Sequence, residues 1–184
     1  AAGHRTEYRY DDAGRRIQIK HFNVSNLATP ERSIQFNVDE VGRLISYTDG
    51  ELSSVYSYDL LGRKISATDN FYDISYSHQQ TWHANGAQKS LTANSTRYDF
   101  NWDGANRMQS VIIPGQGVIG YSEYDWQKPG TINYPGGTVR QNTYDGLQRL
   151  KTIRVRNHSD QLLMDYHYDW NLAGNVIEKT TEHG

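Results

Sequence analysis

The sequence of 184 residues contains no cysteine, only four prolines and no long apolar run. The absence of cysteine excludes disulfides, cysteine-based zinc sites and a thiol nucleophile. No segment approaches the roughly 20 apolar residues that a membrane-spanning helix needs, so no membrane span is predicted. The 19 basic and 21 acidic side chains are spread without runs and leave a net charge of −2. Such a balance provides no basic surface, and we expect no nucleic-acid partner.

Large aliphatic side chains are also scarce. Leu, Ile, Val and Phe together make up only about a fifth of the chain, a level typical of disordered sequences. The chain has instead 14 tyrosines and 4 tryptophans, whose rings bury large areas when a chain folds. The low net charge and the many rings argue for a folded chain. We therefore expect a core made largely of aromatic residues.

A ten-residue motif recurs along the chain. The clearest copy reads Tyr-Ser-Tyr-Asp-Leu-Leu-Gly-Arg-Lys-Ile at residues 56–65, and it recurs as Tyr-Arg-Tyr-Asp-Asp-Ala-Gly-Arg-Arg-Ile at 8–17. The aromatic or valine residue before each turn, which we call the anchor, recurs every 20–28 residues, at positions 10, 38, 58, 82, 102, 124, 144 and 170, with degenerate copies at 82–86 and 124–128. Such self-similarity predicts a repeat architecture. We expect residues 1–184 to form a single run of about seven to eight repeats.

The Asp-x-x-Gly part of the motif predicts a tight β-hairpin turn. Aspartate in the first position accepts a hydrogen bond from a backbone N–H two residues further on, and glycine in the fourth readily takes a positive φ. This combination is a type I turn closed by a left-handed residue. Asn106, in the glycine position, tolerates the left-handed conformation. Gln148 and Lys128 fit that position poorly, and we expect altered turns there.

The segments beside the turns alternate between large and polar residues, as in Tyr98, Phe100 and Trp102, which is typical of strands. One hairpin is marginal alone, but stacked hairpins pair their edges and merge their aromatic faces. The predicted fold is therefore all-β: tandem antiparallel β-hairpin repeats that form a curved, spiralling sheet. We expect the longest loop or the poorest strands in the polar stretch 78–96.

The residues of the motif are predicted to be structural. In five copies an arginine follows the turn, four residues after the aspartate, and we expect these pairs to form an ion-paired, solvated rim. A row of anion-binding arginines is the alternative. The residues assigned to the repeat motif are Tyr10, Asp11, Gly14, Arg15, Asp39, Gly42, Arg43, Tyr58, Asp59, Gly62, Arg63, Trp102, Asp103, Asn106, Arg107, Tyr144, Asp145, Arg149, Trp170, Asn171 and Gly174.

The set of motifs resembles the RHS or YD-repeat family. The shared features are Tyr-Asp-x-x-Gly-Arg and the segment Tyr-Pro-Gly-Gly-Thr-Val at 134–139, ahead of Tyr144 and Asp145; the resemblance extends from Tyr8 to about Lys179. It implies β-hairpins wound into a spiralling sheet that closes as a hollow shell. In bacteria such shells enclose the toxic C-terminal domain of polymorphic toxins, including Tc toxins. In animals the related shell belongs to teneurins, which are adhesion proteins.

The resemblance implies a non-catalytic structural segment of a shell that encapsulates a toxin or other polypeptide cargo, in a bacterial protein that is secreted or at the cell surface. The Asp-rich autoproteolytic region of cargo-releasing shells is not found, so we expect an internal run of repeats, a fragment of a much larger protein. Without capping repeats, the terminal strands of a fragment expose raw edges. Edge-to-edge self-association is therefore predicted.

An extracellular carbohydrate-binding or adhesion module is the alternative function, because exposed Tyr and Trp rings stack on sugar faces. Rings that point into one shared face favour the shell, whereas a row of exposed, coplanar rings favours carbohydrate. The histidine spacings match no metal-ligand signature, and no Gly-x-Ser-x-Gly elbow is present. The glycine pattern at 115–120 lacks the strand–turn–helix context of a dinucleotide site and is interpreted as a loop. We predict no enzyme activity, no catalytic residue, no cofactor and no metal.

Overall fold

The computed structural model describes residues 4–182, and within this range it contains sixteen β-strands and no helix. The strands are β1 (His4–Tyr10), β2 (Arg16–Asn23), β3 (Arg32–Val38), β4 (Leu44–Thr48), β5 (Leu52–Tyr58), β6 (Lys64–Phe71), β7 (Ile74–Trp82), β8 (Gln88–Ala93), β9 (Thr96–Trp102), β10 (Met108–Ile113), β11 (Gly117–Asp125), β12 (Lys128–Asn133), β13 (Val139–Tyr144), β14 (Leu150–Arg156), β15 (Leu162–Trp170) and β16 (Val176–Glu182). The order of the strands in the antiparallel sheet is their order in the sequence. The prediction of an all-β fold of tandem antiparallel hairpins is confirmed. In the described part of the chain, no helix is long and apolar enough to cross a membrane.

The chain forms two compact units. The first contains the described residues up to Thr81 together with Leu91–Thr96, and the second contains Trp82–Ser90 together with the described residues from Arg97 onward. Within each unit, strands that are consecutive in the sequence are neighbours in space. Each unit is therefore built mainly from contacts between residues that are close in the sequence, as in other repeat proteins.

The expected aromatic core is not present in either unit. Among residues 4–182, the buried hydrophobic side chains are Phe22, Ala67 and Ala87, and the largest fully buried side chain is that of Ser54. Most anchor rings are half-buried on the surface of the sheet, and Tyr10 is 55% exposed. A closed core needs a second layer against the rings, whereas these strands pack side by side. The prediction of a largely aromatic core is therefore wrong.

The two faces of the hairpins differ in chemistry. Anchor rings and aliphatic side chains occupy one face, and because side chains alternate along a strand, the residue before each anchor lies on the other face. There, small polar side chains bond directly across the strand pair. These pairs are Asn37–Ser46 at 2.8 Å, Ser57–Ser66 at 2.6 Å, Asn101–Ser110 at 2.9 Å and Thr143–Thr152 at 2.7 Å. The polar face thus satisfies many of its own hydrogen-bonding groups.

The polar stretch 78–96 is not the irregular part of the chain. It contains most of the nine-residue strand β7 and all of β8, whereas the longest connection between described strands is 24–31, between β2 and β3. Strand pairing uses backbone groups, and a sheet face in contact with water accepts polar side chains. The prediction of a poor strand or long loop at 78–96 is therefore wrong. The prediction of a loop at the glycine pattern, residues 115–120, is only partly correct, because residues 117–120 begin β11.

Candidate functional site

In most copies of the motif, the turn is held by the aspartate in its first position. In the first copy the N–H of Gly14 donates to the carbonyl of Asp11 at 3.0 Å, and Gly14 has a φ of +76°. The Asp11 carboxylate accepts the backbone N–H of Ala13 at 3.0 Å and that of Arg15 at 2.8 Å. One side chain thereby satisfies two backbone donors of the turn.

The same turn recurs along the chain, as the sequence predicts. The N–H of the fourth turn residue donates to the carbonyl of the first at Asp39, Asp59, His83, Asp103, Asp145 and Asn171, with distances of 2.8–3.1 Å. Asn106 takes the positive φ, +59°, in place of glycine. The pairing register shifts by one residue at the anchor, so that Tyr58 lies opposite Lys64. The predicted type I turn closed by a left-handed residue is confirmed.

The two copies that lack a favourable fourth residue behave differently. Gln148 adopts a φ of +62° and closes the usual turn, with its N–H 2.8 Å from the Asp145 carbonyl, so the prediction of an altered turn there is wrong. Aspartate and the backbone bonds suffice to hold a non-glycine residue in the left-handed region. Lys128 instead begins β12 after a two-residue turn in which Trp126 has a φ of +57°. The altered turn predicted at Lys128 is confirmed.

The aspartate and arginine of each turn form an ion pair. The Nε atom of the arginine donates to the second carboxylate oxygen of the aspartate, and the carboxylate side chains are only 19–25% exposed. The pairs are Arg15–Asp11 at 2.6 Å, Arg43–Asp39 at 2.5 Å, Arg63–Asp59 at 2.6 Å, Arg107–Asp103 at 2.7 Å and Arg149–Asp145 at 2.7 Å. The arginines are thus bound to carboxylates, which agrees with the expected ion-paired rim.

These contacts lower the pKa values of the turn aspartates. For Asp11 and Asp145 the main cause is the hydrogen bond from the backbone N–H of the paired arginine. For Asp103 the main cause is the hydrogen bond from the Arg107 guanidinium. Burial acts in the opposite direction at Asp39 and Asp59, but the backbone and arginine hydrogen bonds outweigh it and the pKa of each carboxyl is still lowered. The folded structure therefore favours the ionised form of these aspartates.

A basic side chain also connects its turn to the next repeat, and we call this contact the arginine link. The end of the basic side chain donates to a backbone carbonyl of the next turn, and for Arg15, Arg43 and Arg149 this is the carbonyl of the first turn residue. In the first unit the links are Arg15 to Asp39 at 2.9 Å and Arg43 to Asp59 at 3.2 Å. In the second unit they are Arg107 to Trp126 at 3.3 Å, Arg149 to Asn171 at 2.8 Å, and Lys128 to Gln148, where lysine replaces arginine.

The anchor ring makes a second contact in the opposite direction, which we call the ring link. The hydroxyl or indole N–H of the anchor donates to the carbonyl of the residue that follows the arginine position in the previous repeat. In the first unit Tyr58 donates to Leu44 at 2.8 Å. In the second unit Trp102 donates to Gln88 at 2.7 Å, Tyr144 to Pro129 at 3.1 Å, Trp170 to Leu150 at 2.8 Å, and Tyr124 to Met108.

The two links meet because the cation lies over the ring. The distances from the cation to the ring centre are 4.9 Å for Arg43 over Tyr58, 4.6 Å for Arg107 over Tyr124, 5.3 Å for Lys128 over Tyr144 and 5.6 Å for Arg149 over Trp170. These are favourable cation–π distances. We call the arginine links and ring links of each unit its turn ladder. In these four rings both the polar tip and one face are used to hold neighbouring repeats together.

A groove in the second unit, with a volume of about 770 Å³, includes Thr131, Gln141, Arg154 and His167 in its lining. The nearby Asp165 is buried; Arg154 binds one of its oxygens at 2.6 and 2.8 Å, and Nε2 of His167 lies 3.1 Å from the other. Among residues 4–182, no group of three or more His, Cys, Asp or Glu side chains is placed to hold a metal ion. This groove was not found from the sequence, because its residues come from five separate strands.

Sequence reasoning also missed both links of the turn ladder. It considered the arginines as partners of carboxylates, but the acceptors in the next repeat are backbone carbonyls. The fixed spacing of anchor, aspartate and arginine was a usable signal, because it places the same three groups on every turn. The acceptors at Leu44, Gln88 and Pro129 share no side-chain type that a motif search would detect.

Comparisons with known proteins identify the family of this chain. The family model described as teneurin YD-shell matches residues 4–125, which is more than half of the chain. The chain therefore belongs to the teneurin YD-shell family. Comparison with curated proteins found no significant match.

Similar folds occur in solved structures of Tc toxin complexes. The structure of TcdB2–TccC3–Cdc42 has a TM-score of 0.82 at 17% identity, over 100% of this chain and 11% of that chain. The Photorhabdus luminescens Tc holotoxin pore with a TccC3 mutation has a TM-score of 0.83 at 18% identity, over 99% and 10%. TcdB2–TccC3 without its hypervariable C-terminal region gives 0.80 at 17%, over 98% and 10%. These likenesses show the fold, and the chain spans about a tenth of the length of those chains.

Proposed function

We propose that this chain is a non-catalytic wall segment of a YD-repeat shell that encloses a toxin or another polypeptide, in a secreted bacterial protein. The turn ladder is the observation that carries this proposal. Its links join neighbouring repeats within a unit and occupy the rings of Tyr58, Tyr124, Tyr144 and Trp170 together with the basic side chains that lie over them. A single run of about eight hairpins, within a much larger protein, is the part of the shell that we assign to residues 1–184.

Three observations support the wall function. The chain belongs to the teneurin YD-shell family, and its fold resembles parts of Tc toxin complexes. The described strands form a sheet without a buried core, an arrangement suited to a wall that separates two spaces. The ring faces that carry a cation are no longer free to stack on a sugar, which disfavours the carbohydrate-binding alternative.

Limited proteolysis of the longest native polypeptide that contains this segment tests the proposal. We expect a stretch outside the YD repeats to resist protease in the intact protein, because it lies inside the shell. The double variant Arg107→Gln and Arg149→Gln removes two arginine links, and we expect it to make that stretch sensitive before the repeats themselves unfold. Mass spectrometry of the fragments locates the protected stretch.

The matched control is Arg97→Gln, because Arg97 pairs with Asp99 on its own strand and makes no described contact with another turn. This variant should leave the protection unchanged. Uniform cleavage of all segments outside the repeats in the intact protein would contradict the enclosing function. Association of the isolated 184-residue chain through its edge strands is a separate expectation, and light scattering at high concentration measures it.

A further inference from the structure

A groove on the polar face of the second unit contains donor groups that no described residue uses. We call the groove of about 770 Å³ the β14 groove, because Lys151, Thr152 and Arg154 of that strand line it. Strands β11 to β15 supply all its lining residues, and each of these strands has a neighbour on both sides in the sheet. The β14 groove is therefore an interior feature of the sheet and involves neither terminal strand.

Arg154 uses only part of its guanidinium within the protein. Its Nε and Nη2 atoms both donate to one oxygen of the buried Asp165, at 2.8 and 2.6 Å. A guanidinium has five N–H groups, so that three of them, two on Nη1 and one on Nη2, donate to no described residue. The side chain is 43% exposed. Asp165 thus positions Arg154, and the outer edge of the guanidinium can bind a carboxylate through two hydrogen bonds.

The β14 groove contains further donors. The ammonium group of Lys151 and the side-chain amide of Gln141 make no hydrogen bond with the described residues. The hydroxyls of Thr143 and Thr152 bond to each other at 2.7 Å, which leaves one O–H group able to donate. The acidic lining residue Glu123 lies on β11, three strands away from β14, and its carboxylate accepts a threonine hydroxyl. The β14 side of the groove therefore presents donors and positive charge.

The two cations of the groove are not part of the repeat pattern. Lys151 lies two residues after the arginine position of its turn, and other copies have isoleucine there: Ile17, Ile45, Ile65 and Ile177. Arg154 lies five residues after the arginine position, where other copies have threonine: Thr48, Thr68 and Thr180. A buried ion pair such as that of Arg154 with Asp165 adds little net stability over neutral side chains. The fold does not require these charges, which points to binding.

We propose that the β14 groove binds an acidic side chain of a polypeptide segment. The carboxylate of the segment bonds to the outer edge of the Arg154 guanidinium and to the Lys151 ammonium group. The Gln141 amide and the threonine hydroxyl donate to backbone carbonyls of the segment. Two cations are too few to follow the phosphates of a nucleic-acid strand, whose binding depends on many such contacts. The inference is independent of the enclosing function, because every group that it uses lies within the groove.

Titration with an acidic peptide tests the site. The probe is a ten-residue peptide of alternating serine and glutamate, which in extended form carries its carboxylates on one face. The control peptide has glutamine in place of glutamate. Two-dimensional NMR of the isotope-labelled 184-residue chain, at one ionic strength, measures both affinities and locates the amides that shift. We expect the glutamate peptide to bind about tenfold more tightly, the effect of one charge-assisted hydrogen bond, with the largest shifts at residues 141–154.

A double variant separates this site from the net charge of the chain. Arg154→Thr combined with Asp165→Thr removes the guanidinium, leaves no buried carboxylate unpaired and keeps the net charge at −2. We expect it to bind the glutamate and glutamine peptides equally weakly. Its NMR spectrum, if as dispersed as that of the wild type, shows that it folds. Tight binding of the glutamate peptide by the folded double variant would overturn the proposal.

Two single variants test the site with the Arg154–Asp165 pair intact. Lys151→Gln should weaken binding of the glutamate peptide about threefold, the effect of one exposed ion pair. Lys20→Gln changes the net charge equally, at the position of the first repeat that corresponds to Arg154, and should leave the affinity unchanged. Equal losses in these two variants, or equal affinities of the two peptides for the wild type, would contradict the site. Tighter binding of a thymidine decanucleotide than of the glutamate peptide would overturn the choice of ligand.

Discussion

An arginine of the motif can make three different contacts at once, as Arg149 shows. In the seventh repeat Arg149 neutralises Asp145 of its own turn, donates to the carbonyl of Asn171 in the next turn and lies over the ring of Trp170. The planar guanidinium makes this combination possible, since it presents several N–H donors at its edge and a flat face to the ring. Lys128 makes two of these contacts: its ammonium group donates to the Gln148 carbonyl and lies over the Tyr144 ring.

The ring link is tested by the removal of one hydroxyl. Tyr58→Phe keeps the ring under Arg43 but removes the donor to the Leu44 carbonyl, and we expect a loss of about 1 kcal/mol in the free energy of unfolding. Tyr10→Phe is the matched control, because the Tyr10 side chain is largely exposed and its hydroxyl makes no described hydrogen bond. Urea unfolding of both variants measures the difference. Equal losses in the two variants would show that the ring link contributes nothing to stability.

The motif hairpins bury few side chains, and their turns are held by several hydrogen bonds. In the turns that follow Tyr10, Val38, Tyr58, Trp102, Tyr144 and Trp170, the pairing register shifts at the anchor and the fourth turn residue takes a positive φ. This bulge places the anchor ring and the arginine at the edge of the sheet where the turn ladder runs. The aspartate bonds hold the turn so firmly that even Gln148 adopts the left-handed conformation.

The need for a left-handed residue is tested by two glycines at different turn positions. Gly62→Ala places a Cβ at a φ of +79°, and we expect a loss of about 1 kcal/mol or more in the free energy of unfolding. Gly104→Ala is the control, since Gly104 has no positive φ and no atom lies within 4 Å of its added Cβ. We expect little change there. The urea midpoint of each variant, at an unchanged m-value, measures the effect; a similar loss at Gly104 would contradict the backbone explanation.

Over the whole molecule, charge pairing at the turns couples stability to pH. The pKa values of Asp11, Asp39, Asp59, Asp103 and Asp145 are all lower in the folded chain than the ordinary value near 4. A lowered folded pKa contributes stability that is complete above the unfolded pKa and is lost as the pH falls through the folded pKa. We therefore expect the urea midpoint to be constant near neutral pH and to fall below about pH 4.

A matched variant separates the turn aspartates from the other carboxylates. Asp103→Asn keeps an acceptor for the turn amides, as Asn171 does in the last turn, but it cannot titrate. We expect this variant to be less stable than the wild type at pH 7, with a smaller further loss between pH 5 and pH 3. The measurement is the urea midpoint at each pH. If the urea midpoints of the two proteins depended on pH in the same way, Asp103 would not contribute to the pH dependence of stability.

Repeat architecture also explains how a chain with so few buried aliphatic side chains can fold. Each repeat is stabilised mainly by its neighbours, so that the sum of similar contacts replaces a central core. The fully buried Ser54 and the half-buried anchor rings are consistent with this arrangement. Regular hydrogen bonds across the polar face, such as that between Thr143 and Thr152, add to this local stabilisation.

The sequence by itself determined the period of the repeats, the antiparallel hairpins and the chemistry of their turns. These features depend on residues close together in the chain: an aspartate, a residue three positions later that accepts a positive φ, and alternating side chains beside them. Only the tertiary structure decided what the arginines and rings bind. Their acceptors are backbone carbonyls in the neighbouring repeat, such as those of Asp59 and Leu44, and every residue type has a carbonyl. The same limit applies to the absent core, because whether a ring is covered depends on a second layer that no local pattern specifies.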